Sequence, residues 1–160
     1  MQGKATIAHH PIHPMLVTLP IGFFVGALVS YVIYFITADA FWPQMAVMLM
    51  VFGIAGALVA AVFGFIDYAT APMSSAVKST ATKHMALNLS VVVLFALAAW
   101  QGWADHANPV AIGLTALGVV VLAVAGWLGG KLAYVAGVGS AEASQVPMAQ
   151  RPEPPLRRAG

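Results

Sequence analysis

Five histidines are the residues best able to carry chemistry in this sequence, and three of them fall within the run His9-His10-Pro11-Ile12-His13-Pro14. A fourth, His84, precedes an apolar stretch, with Asn88 one helical turn further on; His106 lies apart and, like His9, reads as a surface residue. Imidazole is the commonest side-chain metal ligand, and two imidazoles facing each other across a helix bundle are what a b-type haem requires. The expected cofactor-binding set is therefore His13, His84, His10 and Asn88, the amide orienting a ring or hydrogen-bonding between helices. For a divalent metal the set is His10, His13, His84 and Asp67, whose carboxylate follows the second apolar segment. Helix N-termini at His13 and His84 would disfavour added positive charge and keep both rings neutral. The competing reading is structural: histidine tolerates a membrane interface, His-Pro steps punctuate helix entry, and Asp67 terminates a helix near Lys78 or Lys83.

Other chemistry finds no support. The chain has no cysteine, which removes disulfides, thiolate zinc sites and cysteine-held iron–sulfur clusters within it. There is no phosphate-cradling glycine loop, no H-E-x-x-H and no paired carboxylates within an apolar segment. Ser74, Ser75 and His84 lack a nucleophile elbow. No catalytic residue is assigned, and the residues leave open whether the chain is an enzyme. The net charge of +2 sets seven dispersed Lys and Arg residues against five Asp and Glu, a pattern of orientation signals rather than of a nucleic-acid surface.

The elements that must position the histidines are membrane helices. Hydrophobic residues make up 61% of the chain and charged ones 8%, against about 25% charged in a soluble domain. A fold this short leaves much of its surface exposed, so the bilayer must cover the excess. Segments 15–37, 44–66, 85–103 and 110–128 carry no Lys, Arg, Asp or Glu and reach the roughly 20 apolar residues a spanning helix needs. The expected fold is an all-α integral membrane four-helix bundle: a His-rich entry over 1–14, a transmembrane domain over 15–134 and a flexible tail over 135–160. Ala38-Asp39-Ala40 resembles a signal-peptidase site, but the segment before it is long enough to span, so it is read as retained. Lys4, Lys78, Lys83, Lys131, Arg151, Arg157 and Arg158 flank one side, while the short loops hold only Asp39 and Asp105. Both termini are thus expected in the cytoplasm, with the histidines at that membrane surface.

Two pseudo-repeated antiparallel hairpins are expected. Ala38–Pro43 and Ala104–Pro109 both read A-D-x-x-x-P; counting on from each proline pairs Gly64 with Gly130 and Tyr68 with Tyr134, and counting back pairs His13 with His84 and Leu16 with Leu87. Such hairpins would be related by an axis along the membrane normal. Gly22 and Gly26, then Gly56, Ala60 and Gly64, then Gly126 and Gly130 mark stripes for close helix packing.

The segments His10–Val17 with Leu19-Pro20-Ile21-Gly22, Gly64–Tyr68, His84–Asn88, and Gly126–Tyr134 followed by Gly137-Val138-Gly139 resemble the bacterial membrane proteins grouped as domain of unknown function 2231. The likeness covers about residues 10–139. It implies four membrane helices in the bacterial inner membrane and, because some members are joined to Rieske or cytochrome modules, a redox setting. Partners implied are membrane lipid and a separate redox protein. A non-catalytic membrane scaffold or partner subunit remains the alternative.

Overall fold

The computed structural model describes residues 6–7 and 10–135, with side chains described from Ile12 to Tyr134. Two short strands, β1 (Thr6–Ile7) and β2 (His10–Pro11), pair antiparallel ahead of the helices. Helices α1 (Ile12–Leu16), α2 (Thr18–Thr37), α3 (Phe41–Thr70), α4 (Ser75–Ala104) and α5 (Pro109–Gly130) follow, and α5 runs into a π-helical segment, Lys131–Val135. Four stretches are long and apolar enough to cross a membrane: Ile12–Thr37, Phe41–Thr70, Ser75–Ala104 and Pro109–Tyr134. Their outward residues are themselves apolar, among them Val29, Phe35, Leu58, Leu97 and Val120. That is the surface of a protein solvated by lipid hydrocarbon.

Local chemistry sets the helix ends. Pro20 has no N–H to return to Leu16, and the helical run breaks at Val17 between α1 and α2, although Val17 and Ile21 still bond back to His13 and Val17 carbonyls at 3.1 and 3.2 Å. Ala38 closes α2 in the left-handed region at φ 54°, its N–H on the Tyr34 carbonyl at 2.8 Å. Asn108 caps α5 by accepting from Val110 N–H at 2.9 Å, with Pro109 at the first position, where no N–H is required.

The link between the hairpins differs from expectation. Lys78, Lys83 and His84 were expected in a loop or at a helix start; they lie on α4, which begins at Ser75, and only Ala71–Ser74 separates α3 from α4. Ser74 caps α4, accepting from Val77 N–H at 3.4 Å. The apolar window registers only the part of a helix that crosses hydrocarbon, whereas the helix continues into the polar interface.

The helices form a ring, α2 against α3, α3 against α4, α4 against α5 and α5 against α2. At its centre the Phe24 and Phe95 rings stack with centroids 3.9 Å apart and planes at 14°. Phe24 occupies the space above Gly53 on α3, Phe95 that above Gly118 on α5. Each aromatic thus uses the missing Cβ of its own hairpin partner to reach the middle.

The inward positions repeat. His13, Pro20, Phe24, Ala27 and Tyr31 correspond to His84, Val91, Phe95, Ala98 and Gly102, each 71 positions on, and outward positions between them correspond as well. Along the return helices Ala46, Met50, Gly53, Ala60 and Gly64 correspond to Ala111, Thr115, Gly118, Ala125 and Gly129, each 65 positions on. The hairpin repeat is therefore present with a corrected register: Gly64 matches Gly129, not Gly130. Tyr68 and Tyr134 are not equivalent either, since the π-helical segment redirects the chain and leaves Tyr134 at 92% exposure, while the Tyr68 hydroxyl pairs with Thr82 Oγ1 at 2.9 Å. The first hairpin is about a turn taller than the second, so the A-D-x-x-x-P turns lie at different heights. The packing stripes shift too. Gly22 and Gly126 face open space, while Gly53, Gly64, Gly102, Gly118 and Gly129 are the positions where a Cβ would collide with a neighbour.

Candidate functional site

His13 and His84 are seated by the same device. His13 Nδ1 lies 2.8 Å from the Ala60 carbonyl on α3, and His84 Nδ1 lies 2.9 Å from the Ala125 carbonyl on α5. Each carbonyl keeps a lone pair beyond its helical bond, and the residue four positions on is glycine in both cases. A Cβ on Gly64 would fall 2.8 Å from the His13 ring, and one on Gly129 2.9 Å from the His84 ring. The Ala-x-x-x-Gly spacing in α3 and α5 thus opens a flat socket beside an accessible carbonyl.

Because a carbonyl can only accept, Nδ1 carries the proton in both rings and a neutral ring presents Nε2 as a lone pair. This is the orientation in which a metal-ligating histidine is usually held, Nδ1–H on a backbone carbonyl and Nε2 outward. The expected route to neutral rings fails for His84, which lies well inside α4 and away from any helix N-terminus; its tautomer is fixed by Ala125 instead.

Eleven positions separate His13 from Phe24 and His84 from Phe95, close to three helical turns at ~3.6 residues each. The imidazoles therefore share the inward face of the stacked phenylalanines, about 16 Å nearer the end of the bundle where α1 and α4 begin.

The remaining expected residues divide. Asn88 joins His84, its Nδ2 lying over the ring at 3.2 Å from Nε2 and 3.3 Å from Nδ1 and donating to the His84 carbonyl at 2.9 Å. Asp67 is half-buried near the end of α3, one turn beyond Gly64. Of His10 only the backbone is described, in β2; His9 and the tail from 136 lie outside the described residues. His106 sits in the turn before α5, at the opposite end of the bundle. Among the described residues, no group of three or more His, Asp or Glu side chains stands close enough to hold a metal ion.

Sequence reasoning missed Ala60, Gly64, Ala125 and Gly129 as the seats of the histidines, because an Ala-x-x-x-Gly spacing alone does not distinguish a socket from a packing stripe. It also missed Tyr31, fully buried near Gly102, whose hydroxyl no described residue hydrogen-bonds.

A family model described as Predicted membrane protein (DUF2231) matches residues 9–142. No curated protein and no solved structure matches the chain.

Proposed function

The chain belongs to the family described as Predicted membrane protein (DUF2231), and from that premise we propose that it is a redox accessory protein of the bacterial cytoplasmic membrane, its His13–His84 pair binding haem b. On this reading both termini and the histidine end face the cytoplasm, since Lys78, Lys83 and Lys131 flank that end while Asp39 and Asp105 occupy the opposite turns. A separate redox protein supplies or takes the electrons.

The observation that carries the reading is the twofold repetition of one histidine seat, with Nδ1–H donated to a helix carbonyl at 2.8 Å in one hairpin and 2.9 Å in the other. The donor set suits haem better than a bare divalent ion. Two imidazoles, His13 and His84, would be the residues to hold a b-type haem, whereas a structural zinc site closes with four ligands, and no third ligand joins the pair among the described residues. Haem b, when bound, supplies reversible one-electron chemistry at near-neutral imidazole ligands. The protein's part is to hold both rings in one tautomer, exclude water with the Phe24–Phe95 layer, and place the pair where a soluble partner can approach.

A second reading, a membrane scaffold without cofactor, is favoured by the bonds both rings already make between helices, His13 to the Ala60 carbonyl and His84 to the Ala125 carbonyl. In that case both histidines act as clasps within their hairpins. Haem content of detergent-purified protein separates the two. Stoichiometric haem in the parent, lost at least tenfold in His13→Ala and His84→Ala but kept in His106→Ala, supports the haem site. Full haem in His84→Ala rejects it, and a parent that stays empty after haemin addition hands the function to the scaffold reading.

A further inference from the structure

A groove of about 200 Å³ runs between α2 and α5, walled by Ile21 and Val25 on one side and by Val119, Ala123 and Gly126 on the other. Leu122, buried in the core, is its floor, and no polar atom is exposed along it. A Cβ on Gly126 would meet nothing within 4 Å, so the groove is open there for want of a side chain. The helices on the pseudo-equivalent seam are tied together: Ala71–Ser74 links α3 to α4, and the Tyr68 hydroxyl pairs with Thr82 Oγ1 at 2.9 Å. No turn joins α2 to α5.

From Val119 to Gly126 the groove follows α5 for about 10 Å, inside a stretch long and apolar enough to cross the membrane. What reaches it at that depth is lipid hydrocarbon, not water. An empty groove would forfeit dispersion contacts along both walls, and a flexible acyl chain restores them. The charge nearest on these two helices is Lys131, about 8 Å beyond Gly126 along the axis, its Nζ 5.1 Å from the centre of the exposed Trp127 ring. Neither α2 nor α5 carries a carboxylate. Among the described residues that end of the bundle sets Lys78, Lys83 and Lys131 against Asp67, a balance that attracts an anionic headgroup.

We propose that the α2–α5 groove binds one anionic phospholipid, an acyl chain lying along Ile21, Val25 and Gly126 and the headgroup phosphate meeting Lys131. The histidines face the interior of the bundle, so the lipid site is separate from theirs.

Native mass spectrometry of the detergent-purified full chain, given phosphatidylglycerol and phosphatidylcholine with identical acyl chains, tests both halves of the site. The parent should retain one phosphatidylglycerol, preferred about fivefold, which is what one lysine at an anionic surface provides. K131Q should lose the preference and keep the uptake. G126L should retain neither lipid, and A123L repeats that block from the neighbouring turn. G22L places the same side chain in open space outside the groove and should bind like the parent, with thermal unfolding confirming that each variant is folded. Undiminished lipid in folded G126L and A123L overturns the groove, as does an equal loss in G22L. A preference that survives K131Q, or no preference in the parent, overturns the headgroup assignment. A parent dimer that G126L dissociates gives the groove to a second copy and overturns the lipid site.

Discussion

At the scale of single residues, the account turns on glycines that make room for rings. A Cβ on Gly53 or Gly118 would lie 2.5 or 2.8 Å from the phenylalanine packed on it, and neither stacked ring can retreat without opening the core. Gly53→Ala and Gly118→Ala are expected to destabilise by about 1–3 kcal/mol, the range for overpacking. Gly22→Ala and Gly126→Ala, which meet nothing within 4 Å, are expected to be neutral; thermal unfolding in detergent compares all four. Tyr31 supplies the converse case. Its buried hydroxyl has no hydrogen-bond partner among the described residues, so Tyr31→Phe removes an unsatisfied group and should leave the unfolding temperature unchanged or raised. A marked drop would show that the hydroxyl is satisfied in the membrane. The histidines were legible from sequence because imidazole beside proline at an apolar boundary is chemically conspicuous. Their sockets were not, because Gly22-x-x-x-Gly26 and Ala60-x-x-x-Gly64 look alike until the neighbouring helix is in place.

At the scale of elements, hydropathy located all four spans but not the helices that contain them. Segment 85–103 was read as one span, whereas α4 starts at Ser75 and carries Lys78 on its first turn and Lys83 and His84 on its third. Those residues are polar enough to leave an apolar window and sound enough as helix formers to stay in the helix. Lys78 Nζ lies 5.4 Å from the centre of the Tyr68 ring, so the cation is accommodated across the α3–α4 turn. The turns offer a direct check. Ala38 adopts φ 54°, where glycine has no steric penalty, so Ala38→Gly should stabilise the first hairpin by about 0.5–1 kcal/mol. Asn108→Ala, which removes the cap on Val110 and Ala111 N–H, should cost the second about 1 kcal/mol. Reversal of either sign would contradict these turn assignments.

At the scale of the whole molecule, the repeat decides what is paired with what. Its existence was legible in the matched loops and in His13 and His84, but its register was not: the hairpins differ by about a turn in height, and the π-helical segment after Gly130 displaces Tyr134. A twofold bundle with both hairpins entering from one side requires one topology. Reporter fusions at Ser75 and at the C-terminus should read cytoplasmic, and those at Asp39 and Asp105 external. The central claim is that His13 and His84, not their neighbours, form one shared imidazole pair. It is tested most directly by the optical spectrum of the reduced, haem-loaded protein and its two single variants. The account predicts a six-coordinate low-spin spectrum in the parent and its loss in both His13→Ala and His84→Ala. A six-coordinate spectrum retained in either variant would contradict it.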